Sequence, residues 1–120
     1  IIREPEDTVG VIIEIEETSV GPVHVCGKFL ASALTSTYND GVKERDLDNV
    51  LFVQIVRPKS GDAQNPPMKE KWKAIEDAIN DRVLVENEKI TKYRIFWGAD
   101  IGFMSPNNHD LYQEIRHHLS

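Results

Sequence analysis

The chain has 120 residues, a formal net charge of −6, and 40% hydrophobic against 28% charged residues. That length supports one core rather than two domains, and no apolar run approaches the roughly 18–20 residues a membrane helix needs. The acidic balance argues against a general grip on nucleic acid, which rests on clustered Lys and Arg. A lone cysteine, Cys26, rules out an internal disulfide and fits a reducing, intracellular compartment.

Residues 1–8 are polar, contain Pro5, and are expected to form a flexible lead, leaving 9–120 as a single globular domain. The opening Ile1-Ile2-Arg3-Glu4-Pro5 has neither an initiating Met nor a signal-peptide pattern, which fits a domain cut from a larger protein. Val9 to Glu17 is β-branched and alternates, with Ile13 and Ile15 on one face and Glu14 and Glu16 on the other, so a strand with one wet face is expected. Thr18 to Pro22 reads as a turn. Phe29, Leu30, Ala33, Leu34 and Tyr38 mark a helix face over 26–38, stopped by Asn39-Asp40-Gly41. Val42 to Asn49 reads as a charged loop. Val50 to Val56, VLFVQIV, is nearly continuous apolar and predicts a central strand buried on both faces.

The clearest helix runs from Asn65 to Asn80. Met68, Trp72, Ile75 and Ile79 share one face at 3.6 residues per turn. Asn65 can cap it, and Pro66 and Pro67 suit a first turn, where a missing N–H costs nothing. Lys69, Lys73, Glu76 and Asn80 form a polar stripe beside the apolar one. Val83 to Val85 and Ile90 to Trp97 read as strands around a turn at Glu86-Asn87-Glu88-Lys89, with Tyr93 and Ile95 on one face and Arg94 and Phe96 on the other. After a loop over 98–108, Asn107 or Asn108 caps a last helix through Leu119, with Leu111, Ile115 and Leu119 on one side. The predicted order is β-α-β-α-β-β-α. It describes an α+β or α/β two-layer sandwich of four to five strands and three helices.

No motif requires a cofactor. Gly10, Gly21 and Gly27 make neither a phosphate loop nor a dinucleotide fingerprint, and the serines have no nucleophile-elbow context. His24 and Cys26 can form a dyad only in extended backbone, and nothing nearby activates the thiol. His117 and His118 are adjacent and point about 100° apart on a helix, a poor pair for one zinc. Asp46 and Asp48, beside Asn49, can hold a hard divalent cation if Glu86 or Glu88 converges on them. Lys69 or Lys73 would then lie near a phosphate.

Residues 46–95 resemble, in outline, the phage-derived Holliday-junction resolvases: a buried strand, a loop with acids and an Asn, the helix KAIEDAIN, then RVLVENEKITKYRI. The resemblance implies a magnesium-dependent nuclease. The sequence departs from that pattern, because Asp46-Leu47-Asp48-Asn49 precedes the strand rather than the helix, and the loop before the helix, Asp62-Ala63-Gln64-Asn65, lacks the second acid.

Three functions follow as expectations. The leading one is a non-enzymatic interaction or regulatory domain with a protein partner, using an apolar contact surface at Trp97, Phe103 and Met104, with the basic stripe of Lys69 and Lys73 as a further interaction surface, open to nucleic acid. The alternatives are a Mg- or Mn-dependent nuclease or phosphodiesterase, and a nucleic-acid-binding domain using a local basic face. None involves a membrane, and the oligomeric state is left open.

Overall fold

The computed structural model describes residues 2–3, 8–16, 22–33, 37–39, 41, 44–56, 66–97 and 110–120. Among the described residues, five strands and three helices lie in the order β1 (Ile2–Arg3), β2 (Val9–Ile15), α1 (Pro22–Ala33), β3 (Thr37–Asn39), β4 (Glu44–Val56), α2 (Pro66–Ala78), β5 (Ile90–Trp97) and α3 (Leu111–Leu119). The body of the sheet is three parallel strands in the order β2-β4-β5, so the chain is a mixed α/β domain built on a parallel core. The two short strands add antiparallel. Ile2–Arg3, inside the lead expected to be flexible, pairs with the start of β2, and β3 pairs with Glu44 to Asp46 of β4.

The middle strand is the apolar run read from the sequence, and it is buried from Val50 to Val56. Its even positions Val50, Phe52 and Val56 join Ile12, Tyr93 and Ile95 under Val25 and Phe29 of α1 and Trp72 of α2. Its odd positions Leu51, Val53 and Ile55 join Val11 and Phe96 on the opposite face, where Ile13, Leu111, Ile115 and Leu119 pack. Helices therefore cover both faces, and the expected two-layer sandwich is corrected to three layers. The connections β2-α1-β4 and β4-α2-β5 both step across the sheet in the same direction, which places α1 and α2 on the same face. Among the described helices, α3, which follows the last strand, alone lies on the other.

Trp72 is 5% exposed, and Ile75 and Ile79 continue its stripe into the core, as the helical spacing predicts. Asn65 lies outside the described residues. Three corrections concern element boundaries. The first helix begins at Pro22 and ends at Ala33, and Thr37–Asn39 is a strand. The stretch from Glu44 to Asn49 is strand and not loop, because Arg45 and Leu47 are buried while Glu44, Asp46 and Asp48 face water. Val83 to Val85 is not a strand. The helix continues past Ala78 as a π-helical turn over Ile79–Val83, in which the Leu84 N–H donates to the Ile79 carbonyl at 3.0 Å. That extra residue per turn lets Ile79 and Leu84 both reach the core while leaving Val83 and Val85 in solvent.

Asn49 is the irregular point of β4. Its φ of 50° lies in the left-handed region, which Asn tolerates better than most residues. The bulge lets the buried set change parity, from Leu47 to Val50, without leaving its face. Three contacts hold it. The Asn49 N–H donates to the Glu88 carbonyl at 3.1 Å, Thr91 Oγ1 donates to Asn49 Oδ1 at 2.6 Å, and His118 Nε2 lies 2.6 Å from the Asn49 carbonyl.

Candidate functional site

A parallel strand at the edge of a sheet leaves every second N–H and C=O pointing outward. On β5 these groups are met by side chains of α2 and of the π-helical turn that extends it. Asn80 Oδ1 accepts from the Tyr93 N–H at 2.9 Å, and Asn80 Nδ2 donates to the Tyr93 carbonyl and to the Glu76 carbonyl, each at 2.8 Å. Glu76 Oε2 accepts from the Ile95 N–H at 2.8 Å, and the Glu76 side chain is fully buried. Two residues of the polar stripe thus behave as the next strand would. On the far face, Arg94 Nε donates to Glu114 Oε1 of α3 at 3.0 Å.

Under α1 and α2 lies a buried polar chain. Tyr93 Oη donates to Gln54 Oε1, and Gln54 Nε2 donates to the Val25 carbonyl at 3.1 Å. Nearby, Lys28 Nζ and Glu16 Oε2 form an ion pair at 2.9 Å at the end of β2. Burial pushes the Tyr93 phenol far above its ordinary range, with Cys26, Glu76 and Glu16 adding to the shift. Burial also raises the Cys26 thiol. Both changes favour the protonated form, the reverse of what an activated nucleophile or a base working near neutrality needs. The helical backbone of α1 sets positions 24 and 26 about 200° apart around its axis, which is not the extended backbone that a dyad at this spacing needs. The chain of contacts ties α1 to β4 and β5 and satisfies the single amide inside an apolar strand.

The acids singled out from the sequence lie at the N-terminal end of the parallel strands. Asp46 and Asp48 project from β4 and are exposed, and Glu86 and Glu88 are exposed in the turn before β5. The Asn49–Glu88 backbone bond draws the two segments together at one corner. Among the described residues, no three Asp, Glu, His or Cys side chains form a group able to hold a metal ion.

At the opposite end, Trp97 closes β5, paired in register with Val56. Phe103 and Met104 lie outside the described residues. Asp110, which caps α3 by accepting from the Gln113 N–H at 3.2 Å, takes the place of Asn107 or Asn108 as its N-cap. His118 at the end of α3 meets Asn49, and Glu114 meets the middle of β5, so α3 runs back along the strands and its first turn lies beside their C-terminal ends. There Tyr112 is 67% exposed, under the Arg116 guanidinium at 5.5 Å, and Ile15, the last residue of β2, is 63% exposed on the same face. Lys69 falls in the first turn of α2, and Lys73 is exposed one turn later.

Sequence reasoning missed the exposure of Ile15 and Tyr112, the strand-like role of Glu76 and Asn80, and the Tyr93–Gln54 contact. Only the last had a signal: a lone Gln within VLFVQIV implies a buried partner. Comparison with protein-family models, curated proteins and solved structures gives no match. Among the described residues, no helix is long and apolar enough to cross a membrane.

Proposed function

We propose that this chain is a non-enzymatic interaction or regulatory domain whose contact surface lies at the C-terminal ends of the parallel strands, on the α3 side. The observation that carries the reading is the exposure of two large apolar side chains, Ile15 and Tyr112, at that end and on that face. A contiguous apolar patch at such an end would mark a contact surface. Trp97, whose backbone ends β5 at that end, extends the proposed surface, and the expected Phe103 and Met104 lie outside the described residues. The protonated state of Tyr93 and Cys26 agrees with a structural use of the buried polar groups. Binding of an apolar dye, measured with light scattering on the isolated domain, tests the reading. Dye uptake that falls in a folded Ile15→Ser/Tyr112→Ser double variant supports it, and a monomer that takes up no dye contradicts it.

A further inference from the structure

Helical spacing carries the apolar face of α2 from Trp72 through Ile75 to Ile79, and the next position on that face is Val83. The π-helical turn over Ile79–Val83 breaks the pattern. Its extra residue sends Leu84 into the core in place of Val83, and it leaves Val83 47% and Val85 68% exposed. Two large apolar side chains thus stand in water on either side of a buried leucine. Single π-helical turns are rare and recur at functional sites. We propose that Val83 and Val85 form a docking surface for a basic amphipathic helix of a protein partner.

The segment that carries the two valines is tied down. The Leu84 N–H donates to the Ile79 carbonyl at 3.0 Å and the Asn87 N–H to the Leu84 carbonyl at 3.1 Å. Asn87 Oδ1 accepts from the N–H groups of Lys89 and Ile90 at 2.8 and 2.9 Å. The valines are therefore presented in a fixed geometry, and docking on them costs little ordering of this segment. These backbone donors are also already used within the turn, whereas strand addition needs free main-chain groups. Recognition falls to side chains, as when an amphipathic helix lays its apolar face on a partner. The rim of the surface selects the sign of that helix. Glu86 and Glu88 are exposed in the same turn, and the bond from the Asn49 N–H to the Glu88 carbonyl draws the exposed Asp48, next in the chain to Asn49, toward them. Lys89 stands against these acids, while the adjacent Asp81 and Arg82 offset each other. The net charge of −6 adds attraction for a basic partner at longer range. A second copy fits less well, because a symmetric contact through the valines sets two acidic rims together. The surface lies at the N-terminal ends of the parallel strands, on the α1 and α2 side. It shares no residue with the surface at Ile15 and Tyr112 and goes beyond that reading.

The test uses the whole 120-residue chain and three capped helical peptides. One is built of leucine and lysine with a single apolar face, and one carries glutamate in place of lysine. The third has the leucine and lysine composition with its leucines scattered around the helix. Binding is mapped by NMR through backbone amide shifts. The amphipathic lysine peptide is expected to move the amides of Val83 to Lys89 and to bind about tenfold or more tighter than the other two. Val83→Ser/Val85→Ser, shown to be folded by its unfolding transition, is expected to weaken that binding about tenfold. Glu86→Lys/Glu88→Lys is expected to turn the preference toward the glutamate peptide, and Ile15→Ser/Tyr112→Ser to leave it unchanged. The proposal is overturned if the lysine and glutamate peptides bind equally, or if the shifts map to Ile15 and Tyr112 instead. Parent-like binding by the Val83→Ser/Val85→Ser variant, or a dimer formed through these valines without peptide, overturns it too. Dye uptake removed by one serine pair and not by the other separates the two surfaces, so the two readings fail separately.

Discussion

Replacing Asn80 with Ala isolates the energetic worth of a side chain standing in for a strand. The change removes three hydrogen bonds: the one accepted from the Tyr93 N–H, and those donated to the carbonyls of Tyr93 and Glu76. At about 0.5–1.5 kcal/mol net for each bond, the loss would span about 1.5–4.5 kcal/mol. Two features pull it below the upper end. Asn80 is half-buried, so water can reach part of the vacated site, and the Tyr93 carbonyl keeps its bond from Arg94 Nη1 at 2.9 Å. The Tyr93 N–H keeps no other partner among the described residues. A loss of about 2–3 kcal/mol is therefore expected in the extrapolated stability from urea unfolding, with an unchanged slope. Asn80→Asp is the sharper companion. It retains an acceptor for the Tyr93 N–H but turns a carboxylate toward two carbonyls that had received N–H groups. Its carboxyl should therefore be raised in the folded state, so its deficit relative to the parent chain grows as the pH rises through that group's titration and shrinks on acidification. A loss under about 0.5 kcal/mol for Asn80→Ala would refute the view that this side chain closes the edge.

Trp72→Ala, scored by the same unfolding experiment, should cost about 3–5 kcal/mol, since the indole fills the space between α2 and the sheet; a cost within the range of surface changes would contradict its placement. The raised phenol of Tyr93 stabilises the fold fully below its unfolded value of about 10, and that stability is lost as the pH climbs above it. Tyrosinate absorbance should accordingly show one of the three tyrosines ionising only as the chain unfolds, and Tyr93→Phe should remove that step. Calorimetric titration with magnesium or manganese should give no binding heat at millimolar cation, because the exposed Asp46, Asp48, Glu86 and Glu88 form no three-acid group. Heat that vanishes in Asp46→Asn/Asp48→Asn would favour the nuclease reading instead.

The elements that could be read from the chain are those in which local pattern and tertiary environment agree. VLFVQIV is apolar at every position but one and is buried on both faces. Trp72, Ile75 and Ile79 recur at helical spacing, and the core lies under them. Tyr93 and Ile95 part from Arg94 and Phe96 as strand alternation requires. The misread elements are those in which the two conflict. Glu44 to Asn49 is so charged that its period of two, with Arg45 and Leu47 inward, was hidden. Val83-Leu84-Val85 has strand composition, but one inserted residue in a helical turn decides its conformation. The layer count depended on which way the last helix turns after β5, and its amphipathic spacing is the same on either face.

The site was less legible than the fold, for a related reason. Glu76 and Asn80 look like ordinary solvated residues on a polar helix stripe. Their role exists only because β5 ends the sheet beside them, and no spacing along the helix carries that information. Ile15 likewise continues a good strand pattern, and its exposure follows from lying at an outer edge beyond the reach of β1.

The most direct test of the three-strand parallel core, closed on one side by α2, is native-state amide exchange read residue by residue. The slowest amides should be those of Leu51 to Ile55, with Tyr93 and Ile95 close behind although they sit on an outer strand. If Tyr93 and Ile95 exchange as fast as frayed ends, or if Leu51 to Ile55 are no slower than the turn at Glu86–Glu88, the architecture described for this chain is wrong.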